Sequence, residues 1–277
     1  MKPATEKYTP KKNWRLEDID FGAIDSTLVR DDEQLFFLLT SASFVEIMAD
    51  LYARNLVDHY QDNPDASAWL TDHWRQEEIQ HGKSLRAYIR AAWPEFDWDS
   101  AYHGFAQQYG ALCTAEELEP SRALEMAARC VVETGTSTLY RCLYDYANEP
   151  VLKQLLTQIK ADEVRHFTHF HRLFQAYNAI EKNSAATVAR TIWRRIREIG
   201  DDDGYVAFKH AFIGRHPDTP FNDADYVRFS KKINRWARRR YPYRMAVDML
   251  LAPLPLAPFL KRLLRLPLTA VARATIF

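Results

Sequence analysis

The 277-residue chain is 47% hydrophobic and 27% charged, with 37 Lys/Arg balancing 37 Asp/Glu and only eight glycines. It is long enough for one large domain or two small ones, and scarce glycine with few β-rich stretches favours helices. The opening MKPATEKYTPKK has no apolar core of a secretory signal, no run of about 18 apolar residues reads as a membrane span, and three cysteines without a Cys-x-x-Cys exclude a disulfide framework or an iron–sulfur module. Cys113, Cys130 and Cys142 read as reduced packing thiols of a cytoplasmic protein.

Zero net charge hides an asymmetry. From Arg228 to Phe277 twelve Lys/Arg stand against one acidic residue, Asp248, so residues 1–227 carry the opposite surplus. A basic tail on an acidic body is solvated charge, a dock for an acidic carrier protein, or a peripheral contact with an anionic membrane.

Residues 1–30 read as an N-terminal arm with Trp14 as its large apolar anchor. Asp31-Asp32 predicts the start of a first long helix reaching about Tyr60, with Leu35, Leu39, Ala42, Glu46, Ala49, Ala53 and Leu56 at three- and four-residue spacing. Asn63-Pro64 is a cap and first-turn pair for a second helix, whose stripe is Leu70, Trp74, Glu78, His81, Leu85, Tyr88 and which Pro94 ends. The stretch FDWDSAYHGFAQQYG fits a short helix. A third helix starts near Glu119–Ser121 and runs to about Ala147, with Met126, Cys130, Glu133, Ser137 and Tyr140 on one side. Asn148-Glu149-Pro150 stops it and starts a fourth, with Leu152, Leu156, Ile159, Glu163, His166, Phe170, Leu173 and Tyr177 in line, so the third and fourth should be antiparallel neighbours. Asn183-Ser184 caps a further helix to Arg197, DDDG at 201–204 breaks it, a helix covers about 205–213, and Asn222 caps a basic helix to Arg240. The tail from Met249 mixes Leu, Pro and Arg, too broken to span a bilayer. The expected fold is all-α, a four-helix bundle over 31–180 with a helical extension over 181–277.

Within these stripes Glu-x-x-His occurs twice, as Glu78/His81 and Glu163/His166, and each is preceded by a helix with a lone acid in an apolar run, Glu46 and Glu133. Residues three apart share one helix face, so a carboxylate and an imidazole so placed can bind one metal ion. Four carboxylates on core faces would each cost several kcal/mol without compensation, and two divalent cations balance them. The order Glu, Glu-x-x-His, Glu, Glu-x-x-His is that of di-iron or di-manganese carboxylate bundles of the ferritin-like kind. Asp50 reads as a salt-bridge residue, His169 as a surface histidine, and Phe44, Tyr140, Tyr144 and Phe170 as core.

At these residues the chain resembles the soluble acyl-acyl-carrier-protein desaturases. The likeness covers about residues 12–178 and rests on ADEVRH at 161–166, on Trp74, Glu77, Glu78, His81 and Gly82, on Glu133 with Thr136, and on Asn13-Trp14. It fades after residue 180. The resemblance implies two iron ions, with Mn/Fe as an alternative, Glu46, Glu78 and His81 serving one and Glu133, Glu163 and His166 the other, and Glu78 and Glu163 bridging. It implies that Asp162 orients His81 with Trp14 beyond it, that Glu77 orients His166, and that the Thr136 hydroxyl acts on the oxygen side unless it serves packing alone. It also implies an O2-dependent oxidoreductase that desaturates a fatty acyl chain on acyl carrier protein or coenzyme A, fed by ferredoxin, in a homodimer with no nucleic-acid role. An oxygenase on another apolar substrate and a ferroxidase or iron store remain alternatives. Leu85 stands where a ribonucleotide reductase small subunit has tyrosine, and Ile159 where an amine N-oxygenase of this fold has histidine.

Overall fold

The computed structural model describes residues 12–112, 118–198 and 203–276, so Cys113 and residues 1–11 of the arm lie outside it. The protein is all-α: the described residues form helices, short 3₁₀ turns and loops, with no strand. The chain gathers into two compact units, one from Met1–Ala115, Tyr146–Ile159 and Gly200–Ile233, the other from Glu116–Asp145, Lys160–Ile199 and Asn234–Phe277.

In the first unit α1 (Glu33–Ile47) starts on Asp32, whose carboxylate accepts the Leu35 N–H at 3.0 Å. The single helix expected up to Tyr60 is instead two. After Ile47 the Met48 N–H closes a tight bond on the Val45 carbonyl, and α2 (Ala49–His59) leaves at a 42° bend. The second expected helix is also divided. Asn63 caps α3 (Pro64–Trp69) through the Ala66 N–H, a π-helical turn occupies Leu70–Trp74, and α4 (Arg75–Ala92) follows.

α1 and α4 run antiparallel. Phe36 meets Trp93 with ring centres 5.2 Å apart at one end, and Ile47 meets Gly82 at the other. α5 (Trp98–Gly110) is the short helix expected there, capped by Asp97. It packs with α9 (Asp203–Arg215), which also lies on α1, where Phe37 and Phe208 are 4.8 Å apart. Trp14, Ile19 and Val29 of the arm are buried.

The second unit is built on α6 (Arg122–Tyr146) and α7 (Pro150–Glu181). Lys160 sits over the Tyr144 ring at 3.3 Å, Thr136 meets Glu163, and Glu181 accepts the Ala123 N–H at 3.1 Å. Rising numbers on one helix pair with falling numbers on the other, so the expected antiparallel register holds within this unit. The start of α7 lies in the first unit, where Glu149 is fully buried and accepts from the Leu152 N–H at 2.7 Å and the Tyr88 hydroxyl at 3.2 Å. Burial and this carboxylate push the Tyr88 phenol well up.

α8 (Ala185–Glu198) begins on Ser184, which accepts the Thr187 N–H, and α10 (Asp223–Arg240) on Asn222. The tail is helical, as expected of the extension. It forms α11 (Tyr243–Leu251) and an 18-residue α12 (Pro258–Thr275) that continues through Pro267. Proline leaves the Leu263 carbonyl without its helical donor. Leu263 is exposed, so water can take that place. Among the described residues no single helix is long and apolar enough to cross a membrane; α1 and α2 together are apolar enough, and α1 supplies core residues Leu35, Phe36, Leu39 and Phe44.

Candidate metal centre

All six ligand candidates are buried: Glu46, Glu78 and His81 in the first unit, Glu133, Glu163 and His166 in the second. Each set of three offers ligand atoms lying within 4.8 Å of one another. In the first, His81 Nδ1 is 3.8 Å from Glu46 Oε2; in the second, His166 Nδ1 is 3.6 Å from Glu133 Oε2. Each is therefore a buried triad of two carboxylates and an imidazole.

The local helices explain the first triad. Glu46 sits in the last turn of α1, just before the break, and Glu78 and His81 share one face of α4. The two helices come together where α4 has no side chain: a Cβ on Gly82 would stand 2.7 Å from the Ile47 nitrogen and 3.0 Å from the Glu46 Cβ. Only glycine permits that approach. The break also redirects α2, and the Tyr52 hydroxyl donates to Glu78 Oε2 at 3.4 Å. Trp14 lies parallel to the His81 ring, 8° between planes and 6.3 Å between centres, and its carbonyl accepts from the Gln80 amide at 2.9 Å.

The second triad stands on uninterrupted helix. Glu133 and Thr136 are one turn apart on α6, and the Thr136 hydroxyl donates to Glu163 Oε2 at 2.5 Å. Burial is the main force raising the Glu133 carboxyl to about 7; His166 opposes it and Glu163 adds to it. Burial, with help from Glu133, also raises the Cys130 thiol. Asp162 is fully buried, with the Arg165 guanidinium on it, and Glu77 is half-buried on α4.

Other expected residues fall as follows. Asp50 is exposed and pairs with Arg75 at 3.5 Å, as read from the sequence. Phe44, Tyr140 and Phe170 are buried core, while Tyr144 is half-buried under Lys160. His169 contacts Arg172 at 2.9 Å. Cys130 and Cys142 are buried free thiols.

Tyr52 carried no signal, because on one straight helix it would lie about 240° from Glu46, at roughly 100° per residue. The π turn also has no pattern of its own, yet it ends at Trp74 just ahead of Glu77 and Glu78, a common place for such turns near functional residues. The first unit also holds a cleft of about 510 Å³ whose lining includes Asp31, Asp32, Glu33, Tyr146 and Lys232, and a smaller one beside Phe208 and Phe229; neither is lined by a ligand candidate.

Buried carboxylate oxygens and imidazole nitrogens suit divalent iron, manganese or zinc better than a soft metal. Fold and donor set together define an all-α protein with a candidate metal site. No known family model and no curated protein matches the chain.

Proposed function

We infer that the protein is an O2-dependent di-iron oxidoreductase that places a double bond in a fatty acyl chain carried on acyl carrier protein or coenzyme A. The observation that carries this reading is the recurrence of one buried Glu–Glu–His triad in each unit with nearly equal internal spacing. Two carboxylates and a neutral imidazole are balanced by one divalent cation, so two such triads call for two. In this reading Glu46, Glu78 and His81 would hold one ion and Glu133, Glu163 and His166 the other, the ligand set of the carboxylate bundles.

When bound, the iron pair supplies the O2 chemistry that takes two hydrogens from an unactivated carbon–carbon bond. The overall reaction consumes O2, two electrons from a ferredoxin-like donor and two protons, and yields the alkene and two waters. The chain's residues do the rest. Thr136 fixes one oxygen of Glu163 and has a hydroxyl proton to relay. Tyr52 does the equivalent positioning for Glu78, and Trp14 shields His81. Glu77 and Asp162 are assigned to hold the ligand imidazoles by their second N–H. The apolar surroundings keep water from the reacting groups. The acyl substrate is supported by the likeness of the ligand motifs.

Anaerobic iron loading tests the centre, and O2 with acyl substrates and a ferredoxin reducing system tests the activity by mass spectrometry. Two irons per chain and a product lacking two hydrogens are expected. A product gaining one oxygen atom would assign a hydroxylase instead. Iron oxidised with every substrate unchanged would assign a ferroxidase.

A further inference from the structure

The last helix is amphipathic, with its apolar side outward. At 3.6 residues per turn, Phe259, Leu263, Leu266 and Ala270 follow one another along a single stripe of α12. They are solvent-facing: Phe259 is 66% exposed, Leu263 69% and Leu266 72%. The other side holds the helix to its unit. Lys261 donates to the Ala252 carbonyl at 2.7 Å, where the His171 ring of α7 also bonds at 3.0 Å, and Arg265 lies 3.6 Å from Asp248. Leu260 and Leu264 are half-buried on that side. A helix held by Lys261 and Arg265 beside Leu260 and Leu264, with Phe259, Leu263 and Leu266 in water, keeps an apolar stripe outside, against the usual arrangement for a soluble protein.

We propose that α12 docks the protein on an anionic lipid surface, with the Phe259–Leu263–Leu266 stripe entering the interface and the tail's cations meeting headgroup phosphates. Charge selects this occupant. No acidic residue follows Asp248, and exposed Arg262 and Arg273 border the stripe. A second copy seated on the same stripe would set those arginines against their counterparts. Lipid phosphate complements them, and cationic clusters beside an apolar helix face are the usual composition of interfacial helices. The helix is about 27 Å long at 1.5 Å per residue and is not apolar enough to cross a membrane, so it lies along the surface. This inference is independent of the metal and of the reaction.

Sedimentation of the full chain with vesicles tests it. The chain should bind vesicles of equal phosphatidylglycerol and phosphatidylcholine, bind pure phosphatidylcholine far less, and release as salt rises. Leu263→Asp with Leu266→Asp should weaken anionic-vesicle binding roughly tenfold or more, with helicity and thermal unfolding unchanged because both side chains are exposed. Arg262→Gln is the milder variant and should weaken binding only at low salt. Equal binding to both vesicle types would overturn the proposal. So would unchanged vesicle binding by the double aspartate variant, including the case where that variant instead splits a wild-type dimer in sedimentation equilibrium.

Discussion

The two triads use the same ligand types but are held in place by different means. In the first unit Glu46 ends a helix that breaks one residue later, and the approach of α1 to α4 depends on Gly82 having no side chain. In the second, α6 and α7 pass by unbroken, and a hydroxyl, Thr136, sets the carboxylate of Glu163. Both triads have a hydroxyl on a carboxylate, Tyr52 on Glu78 at 3.4 Å and Thr136 on Glu163 at 2.5 Å, but the first also depends on the steric closeness of two helices. The glycines show this directly. A methyl group on Gly82 would come within 3 Å of backbone, while one on Gly135, between Glu133 and Thr136, would meet nothing within 4 Å. The first triad thus leans on a close backbone approach as well as a long hydroxyl contact, the second on a short hydroxyl contact, so the two should fail in different ways.

The largest expected effect is common to both. Glu78→Ala and Glu163→Ala should each lower iron binding by more than about 100-fold, beyond what loss of a supporting residue costs; iron per chain after desalting measures it. Next comes the short hydroxyl contact of the second triad. Thr136→Val should cut turnover about 10- to 100-fold with iron content unchanged, and Thr136→Ser should restore most of it. An unaffected Val variant would reduce Thr136 to packing.

The third prediction concerns pH. The Glu133 value in the folded protein, about 7, lies above the 4.5 of the free group. In metal-free protein the folded state therefore keeps a proton that the unfolded chain has already lost between those values. The stability tied to that proton is fully present below pH 4.5 and disappears as pH rises through 7. A metal must displace the same proton, so its affinity should strengthen on raising pH toward 7, by up to about tenfold per unit. Metal titrations across that range check it, and a flat profile would show that Glu133 is ionised before metal arrives.

The smallest effects separate the two modes of support. Gly82→Ala should destabilise by roughly 1–3 kcal/mol through overpacking against Ile47, seen as a fall in thermal midpoint of about 2–4 °C per kcal/mol. Gly135→Ala should stabilise by about 1 kcal/mol or less, the ordinary gain for an open helical position. If both glycines behave alike, steric closeness is not what distinguishes the first triad.

Local and periodic features could be read from the order of residues. Capping pairs such as Asn63-Pro64 and Asn183-Ser184 sit where helices begin, because cap chemistry acts within three residues. The burial of all six ligand candidates was also legible, since a carboxylate in an apolar stripe goes wherever its helix face goes. Long-range packing settled the rest. The break after Ile47, the π turn before Arg75, the reach of Tyr52 to Glu78 and the parallel placing of Trp14 on His81 depend on contacts between segments far apart in the chain. The same holds for α12. Its leucines and arginines were visible in the sequence, but which side faces water was fixed by Lys261, Arg265 and the Ala252 carbonyl, and periodicity cannot tell a helix's inner side from its outer one.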